Sequence, residues 1–93
     1  MEVRQEVARE FGRNLFVLRR SAGLTQEETA LLAGLRRTEI GCLEHGLRVA
    51  RIDTVVKVAG ALVAPPASLL KGIEWKVGAA RPGHFVFSDR DEG

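Results

Sequence analysis

The sequence predicts an all-α bundle of five helices with a short C-terminal extension. Three observations carry this. Apolar residues recur every three or four positions through residues 3–62. Gly23, Gly34, Gly46 and the pair Pro65–Pro66 punctuate those stretches. Beyond Gly72 the helical period is replaced by two short runs, IEWKV and HFVF.

Helix one is expected over Val3–Ser21, where Val7, Phe11, Leu15 and Leu18 form one apolar stripe. Gly23 suits a helix end. Thr25 is placed to cap the next helix, and Glu28, three residues on, completes a capping box. That helix runs to Ala33, and Gly34 permits a tight turn. Helix three is expected over Arg37–His45, with Ile40 and Leu43 facing inward and Gly46 closing it. After the loop Leu47–Arg51, helix four is expected over Ile52–Leu62. Its apolar positions are Ile52, Val55, Val56, Ala59 and Leu62, and their spacing outweighs the low helix propensity of valine. Pro66 can open a short fifth helix, Ala67–Leu70. IEWKV and HFVF, separated by GAARPG, read as two short strands or extended segments, and DRDEG as a frayed end. Residues 1–72 are the expected domain and residues 73–93 a tail.

With 93 residues and 45% apolar content, the chain is expected to form one domain with a small core. A domain of this size buries only about 60–65% of its unfolded surface, which favours further burial in a dimer. No apolar run reaches the about 18 residues that span a membrane. The charged opening MEVRQEVARE lacks a signal-like apolar segment, so a cytoplasmic location is the expectation. A single cysteine, Cys42, excludes an intrachain disulfide and a multi-cysteine metal site. The net charge of +2 is uneven: residues 1–76 carry +3 and residues 77–93 carry −1. The basic portion favours an anionic partner, although such a balance alone also serves solubility. His45 and His84 have no nucleophile or ligand cluster beside them, and no glycine-rich phosphate loop is present. No catalytic residue, metal ligand or cofactor is expected.

The segment LTQEETALLAGLRRTEIGCLEHG, Leu24–Gly46, reads as two short helices around a tight turn. Its second helix opens on Arg36 and Arg37, and a unit of this size and polarity fits a DNA major groove. The surrounding motifs agree. They are G-x-x-L-x-x-L-R at Gly12–Arg19, G-L-T-Q-E-E at Gly23–Glu28 and A-x-x-A-G-L at Ala30–Leu35. I-x-x-L-E-x-G at Ile40–Gly46 and V-x-x-A-x-A-L at Val56–Leu62 complete the series. In this order and spacing the chain resembles the Cro/C1-type, or Xre-type, helix-turn-helix domain over about two-thirds of its length, Phe11–Leu70. The resemblance implies a lambda-repressor-like five-helix bundle whose second and third helices form the DNA-reading unit.

It also implies roles for individual residues. Gln26 is placed to bond a phosphate, helped by the helix N-terminus. Arg37 occupies a base-reading position, where a guanidinium suits guanine O6 and N7, and Thr38 follows at a base-facing position. Arg36 stands where the family has a Ser or Thr cap. Losing that cap costs about 0.5–2 kcal/mol, but Arg36 can reach a phosphate. Gly41 and Cys42 replace longer polar side chains and are the main departure from the family pattern. Arg48 and Arg51 are implied phosphate contacts, and His45 is either a further contact or a solvated helix end. Arg19 and Glu44 are implied to pair and orient the third helix without touching DNA.

Phe16, Val17, Leu31 and Leu32 are apolar where the family is polar, and the tail adds Trp75, Val77, Phe85, Val86 and Phe87. The expectation is that the tail packs on the bundle or on a second subunit and buries this surface; scattered surface hydrophobes are the alternative. The function expected is a sequence-specific, double-stranded-DNA-binding transcriptional regulator, a repressor acting as a homodimer. Two readings stand beside it. One is an antitoxin that binds a toxin and represses its own operon. The other is a protein-interaction module with weakened DNA binding, motivated by Gly41 and Cys42.

Overall fold

The computed structural model describes residues 3–78 and 82–88. Five helices are followed by a two-stranded antiparallel sheet: α1 Val3–Ser21, α2 Gln26–Ala33, α3 Arg37–Glu44, α4 Ile52–Ala61, α5 Pro66–Leu69, β1 Ile73–Lys76 and β2 His84–Phe87. The helix ends differ from the sequence expectation by a residue or so. His45 caps α3, Leu62 caps α4, and Pro66 is the first residue of α5, where its missing N–H costs nothing. The frayed end DRDEG and residues 79–81 of the link between the strands lie outside the described residues. Among the described residues, no helix is long and apolar enough to cross a membrane.

One core holds the helices together. Phe11 and Leu15 of α1, Ala30 of α2, Ile40 and Leu43 of α3, Val58 of α4 with its capping residue Leu62, and Leu69 of α5 belong to it. α1 packs on α3 and α5, α2 on α3 and α4, and α4 on α5. Asn14, buried in α1, donates to the carbonyls of Leu69 and Lys71, both at 2.9 Å. It thereby satisfies carbonyls left open where α5 ends. α2 begins with the expected capping box: Thr25 Oγ1 accepts from Glu28 N–H at 3.0 Å, and Glu28 Oε1 from Thr25 N–H at 2.9 Å.

The apolar positions of α4 divide between core and surface. Val58 and Ala59 are buried and Val55 packs against the core, whereas Ile52 is 83% exposed and Val56 is also exposed. The helix carries valine or alanine on several sides, so its sequence does not single out an inward face. The neighbours α2 and α5 select it.

The tail forms the hairpin, in the register Ile73↔Phe87 and Trp75↔Phe85. One face therefore carries Ile73, Trp75, Phe85 and Phe87. Trp75 and Phe85 meet edge to face at 5.0 Å. Ile73 packs on the core, and Ser88 N–H donates to the Gly72 carbonyl at 3.0 Å. The hairpin leaves Phe16, Val17, Leu31 and Leu32 exposed, so packing of the tail over that surface within one chain is corrected.

α1, α2 and α3 each run into a glycine in the left-handed region: Gly23, Gly34 and Gly46. α4 ends in the same bonding pattern but on Val63. Ala64 N–H reaches the Ala59 carbonyl at 3.0 Å, and Val63 N–H reaches Gly60 at 3.1 Å. Val63 has φ +53°, a conformation in which its branched Cβ crowds the backbone, and its side chain is 92% exposed. Val63→Gly is expected to stabilise the fold by about 1 kcal/mol, the relief of strain exceeding the added chain entropy. The measurement is the urea midpoint at constant m-value; a lower midpoint would remove the strain assignment.

Candidate nucleic-acid interface

α3 is half sunk and half presented. Ile40 and Leu43 are buried, while Arg36, Arg37 and Thr38 at its start are exposed. Its far end is fixed to α1. Glu44 Oε2 accepts from Arg19 Nε at 2.5 Å and Glu44 Oε1 accepts from Arg19 Nη2 at 3.1 Å. Arg19 Nη1 donates to the Leu24 carbonyl at 2.9 Å, which ties in the turn before α2. The two side chains are only 9% and 4% exposed. A buried pair of this kind needs bidentate geometry and further donors to offset desolvation, and both are present.

Gln26 joins the same carboxylate. A carboxylate only accepts, so the Gln26 amide nitrogen faces it, donating to Glu44 Oε1 at 2.9 Å. One amide N–H remains for an incoming group. The Gln26 carboxamide lies over Gly41, where a Cβ would stand 4.0 Å from Oε1. Gly41 and Cys42 are half-buried, so the outward reach of α3 is concentrated at its first turn.

Arg36 occupies the N-cap of α3 with extended backbone, but a guanidinium has no acceptor to offer the helix. Half of a capping box forms instead: Glu39 Oε1 accepts from Arg36 N–H at 2.8 Å. His45 folds back on its own helix, with Nδ1 donating to the Gly41 carbonyl at 2.8 Å. Arg48 is exposed in the loop before α4. Arg51 caps the start of α4 and pairs with Asp53 at 3.3 Å. Both side chains of that pair are largely exposed, so it contributes little and competes weakly with a phosphate.

Arg20, unlike its neighbour Arg19, is not singled out by the sequence. It lines an open cleft together with Gln26 and Arg37, its guanidinium 5.4 Å from the centre of the Phe16 ring. The signal available was the spacing of Phe16 and Arg20, one turn apart on α1. Two of the apolar positions of α4, Ile52 and Val56, face outward.

Removing Glu44 strands a buried guanidinium. Glu44→Ala is expected to destabilise the domain by about 3–5 kcal/mol. Thermal denaturation checks this, and DNA affinity measured well below the melting temperature should fall as α3 loses its anchor. An unchanged melting temperature would contradict the anchoring role.

Comparisons with known proteins place this architecture. The helix-turn-helix family HTH_3 matches residues 17–67. No curated protein matches the chain. Among solved structures, the chain is similar to the restriction-modification controller protein C.AhdI from Aeromonas hydrophila. The two are 39% identical with a TM-score of 0.65, over 67% of this chain and 94% of that one. The clp gene regulator ClgR from C. glutamicum is 25% identical with a TM-score of 0.66, over 69% and 83%. The hypothetical transcription factor NHTF from Neisseria is 27% identical with a TM-score of 0.67, over 75% and 80%. With the matching segment spanning the bihelical unit and its anchoring pair, the chain belongs to the HTH_3 helix-turn-helix family and is a DNA-binding transcription regulator.

Proposed function

We propose that the protein is a sequence-specific repressor that binds operator DNA as a homodimer. The observation that carries this reading is the exposed first turn of α3, Arg36, Arg37 and Thr38, on a helix anchored at its other end. Arg37 reads a guanine through two parallel hydrogen bonds, and Thr38 contacts the neighbouring base pair. Gln26, Arg36, Arg48 and Arg51 hold phosphates and set the register. Gly41, Cys42 and His45 add little, so each half-site is short and a second subunit is needed for specificity.

The dimer has two exposed apolar surfaces to draw on. One is the outward face of α4, Ile52 and Val56, one turn apart. The other is on α2, where Leu31 and Leu32 are exposed side by side in the chain. The double variant Ile52→Ser, Val56→Ser is expected to convert a dimer to a monomer in light scattering, while Leu31→Ser, Leu32→Ser leaves the mass unchanged. The reverse pattern would move the interface to the second surface.

A second reading is favoured by similarity to a restriction-modification controller over nearly its whole length. In that reading the operator lies beside restriction and modification genes. Binding to DNA upstream of the protein's own gene, with such genes adjacent, would support it.

Selection from a randomised duplex library tests the main reading. Wild type should enrich a pseudo-palindrome. Arg37→Ala should lose about 1–3 kcal/mol on that sequence and relax preference at one base pair per half-site. Absence of enrichment at low salt would overturn sequence-specific binding.

A further inference from the structure

We propose that Arg20, held on the ring of Phe16, is a DNA-backbone contact that extends the interface of α2 and α3 onto the end of α1. The inference rests on the chain being a DNA-binding regulator and adds a residue pair that the family pattern does not supply.

Two neighbouring arginines at the end of α1 have different fates. Arg19 is spent internally, on Glu44 and on the Leu24 carbonyl. Arg20 is exposed and, among the described residues, forms no ion pair. Both guanidinium carbons lie 5.4 Å from the centre of the Phe16 ring, within the range of a cation–π contact. Phe16 is itself an exposed aromatic, with no place in the core cluster.

A cation–π contact uses none of the guanidinium's N–H donors as hydrogen bonds, so they stay available. The ring also restricts a flexible side chain, so less freedom is lost when a phosphate binds. Arg20 from α1 and Arg37 from α3 line one open cleft, with Gln26 and the turn before α2 between them. Glu27 lines it too. With Arg19 matched by Glu44, the two remaining arginines outweigh that one carboxylate. A phosphate group fits this chemistry: a compact anion met by guanidiniums from two helices, beside the helix turn that reads bases.

Titration of the intact protein against a short duplex of arbitrary sequence, at several salt concentrations, tests the proposal. Arg20→Ala should weaken binding to all sequences alike. It should lower the slope of log affinity against log salt by about 0.9. The deficit relative to wild type should then shrink about 3.5-fold between about 50 and about 200 mM salt. Phe16→Leu keeps the apolar bulk and removes the aromatic face. It should weaken binding in the wild-type background and have no effect once Arg20 is alanine. A wild-type slope retained in Arg20→Ala, or a loss confined to one sequence, overturns the proposal. So does a Phe16→Leu effect that persists without Arg20, because the ring would then be acting on something else. Wild-type binding that is insensitive to salt would overturn the DNA-binding reading and this inference with it. A steep wild-type slope unchanged in Arg20→Ala would overturn this inference alone.

Discussion

The seating of α3 on α1 is the constraint on which the rest of the molecule depends. It is made by an absence and a pair of charges. At Gly12 a Cβ would stand within 2.6 Å of the Glu44 carbonyl oxygen and 2.9 Å of its carbon. At Gly46 a Cβ would stand 2.9 Å from the Arg9 Cα. The two backbones approach as closely as glycine allows, and no other residue type fits at either point without moving a helix. Seven residues along α1 from Gly12, Arg19 reaches Glu44. The middle of α1 thus sets the separation of the helices, and its last turn fixes how α3 is rotated about its axis.

This arrangement divides α3 by function. Its last turn holds Leu43 in the core and Glu44 in the buried pair, so that end serves the fold. Its first turn has no side-chain cap of its own and carries two arginines. A Ser or Thr at position 36 would satisfy the helix and stay short. Arg36 gives up that bond and gains reach, and Glu39 supplies the reciprocal half of the box. Stability is conceded locally at the surface proposed for contact, and recovered at the opposite end of the same short helix.

The sequence made the helix boundaries legible because they depend on local chemistry: the Thr25–Glu28 box, the glycines after three helices, the proline opening α5. The two strands were legible from the alternation in IEWKV and the short apolar run in HFVF. What failed to show depended on neighbours. Ile52 and Val58 are both apolar residues of α4, and only packing against α2 and α5 decides that one is outside and the other inside. Val63 adopts a glycine's conformation with no sequence signal beyond its place after Leu62. In the site, the basic start of α3 was plain from Arg36 and Arg37. The Arg19–Glu44 pairing came from resemblance, since 25 residues separate the partners. The bond from Gln26 to Glu44, and the different fates of Arg19 and Arg20, needed the three-dimensional arrangement.

The Gln26 bond has a consequence for how binding is transmitted. Glu44 accepts from Arg19 of α1 and from Gln26 of α2 while itself belonging to α3. One carboxylate therefore joins all three helices. A phosphate drawn to the second N–H of Gln26 meets a carboxamide already held by Glu44, with little orientation left to freeze. The same bond fixes the first turn of α2 relative to α3, so that in the proposed binding mode the element holding phosphates and the element reading bases would move together. Under that proposal, register set by phosphates would be delivered to Arg37 with little slack. A base contact worth about 1–3 kcal/mol depends on placement to within fractions of an ångström, and a shared buried acceptor is a direct way to supply it.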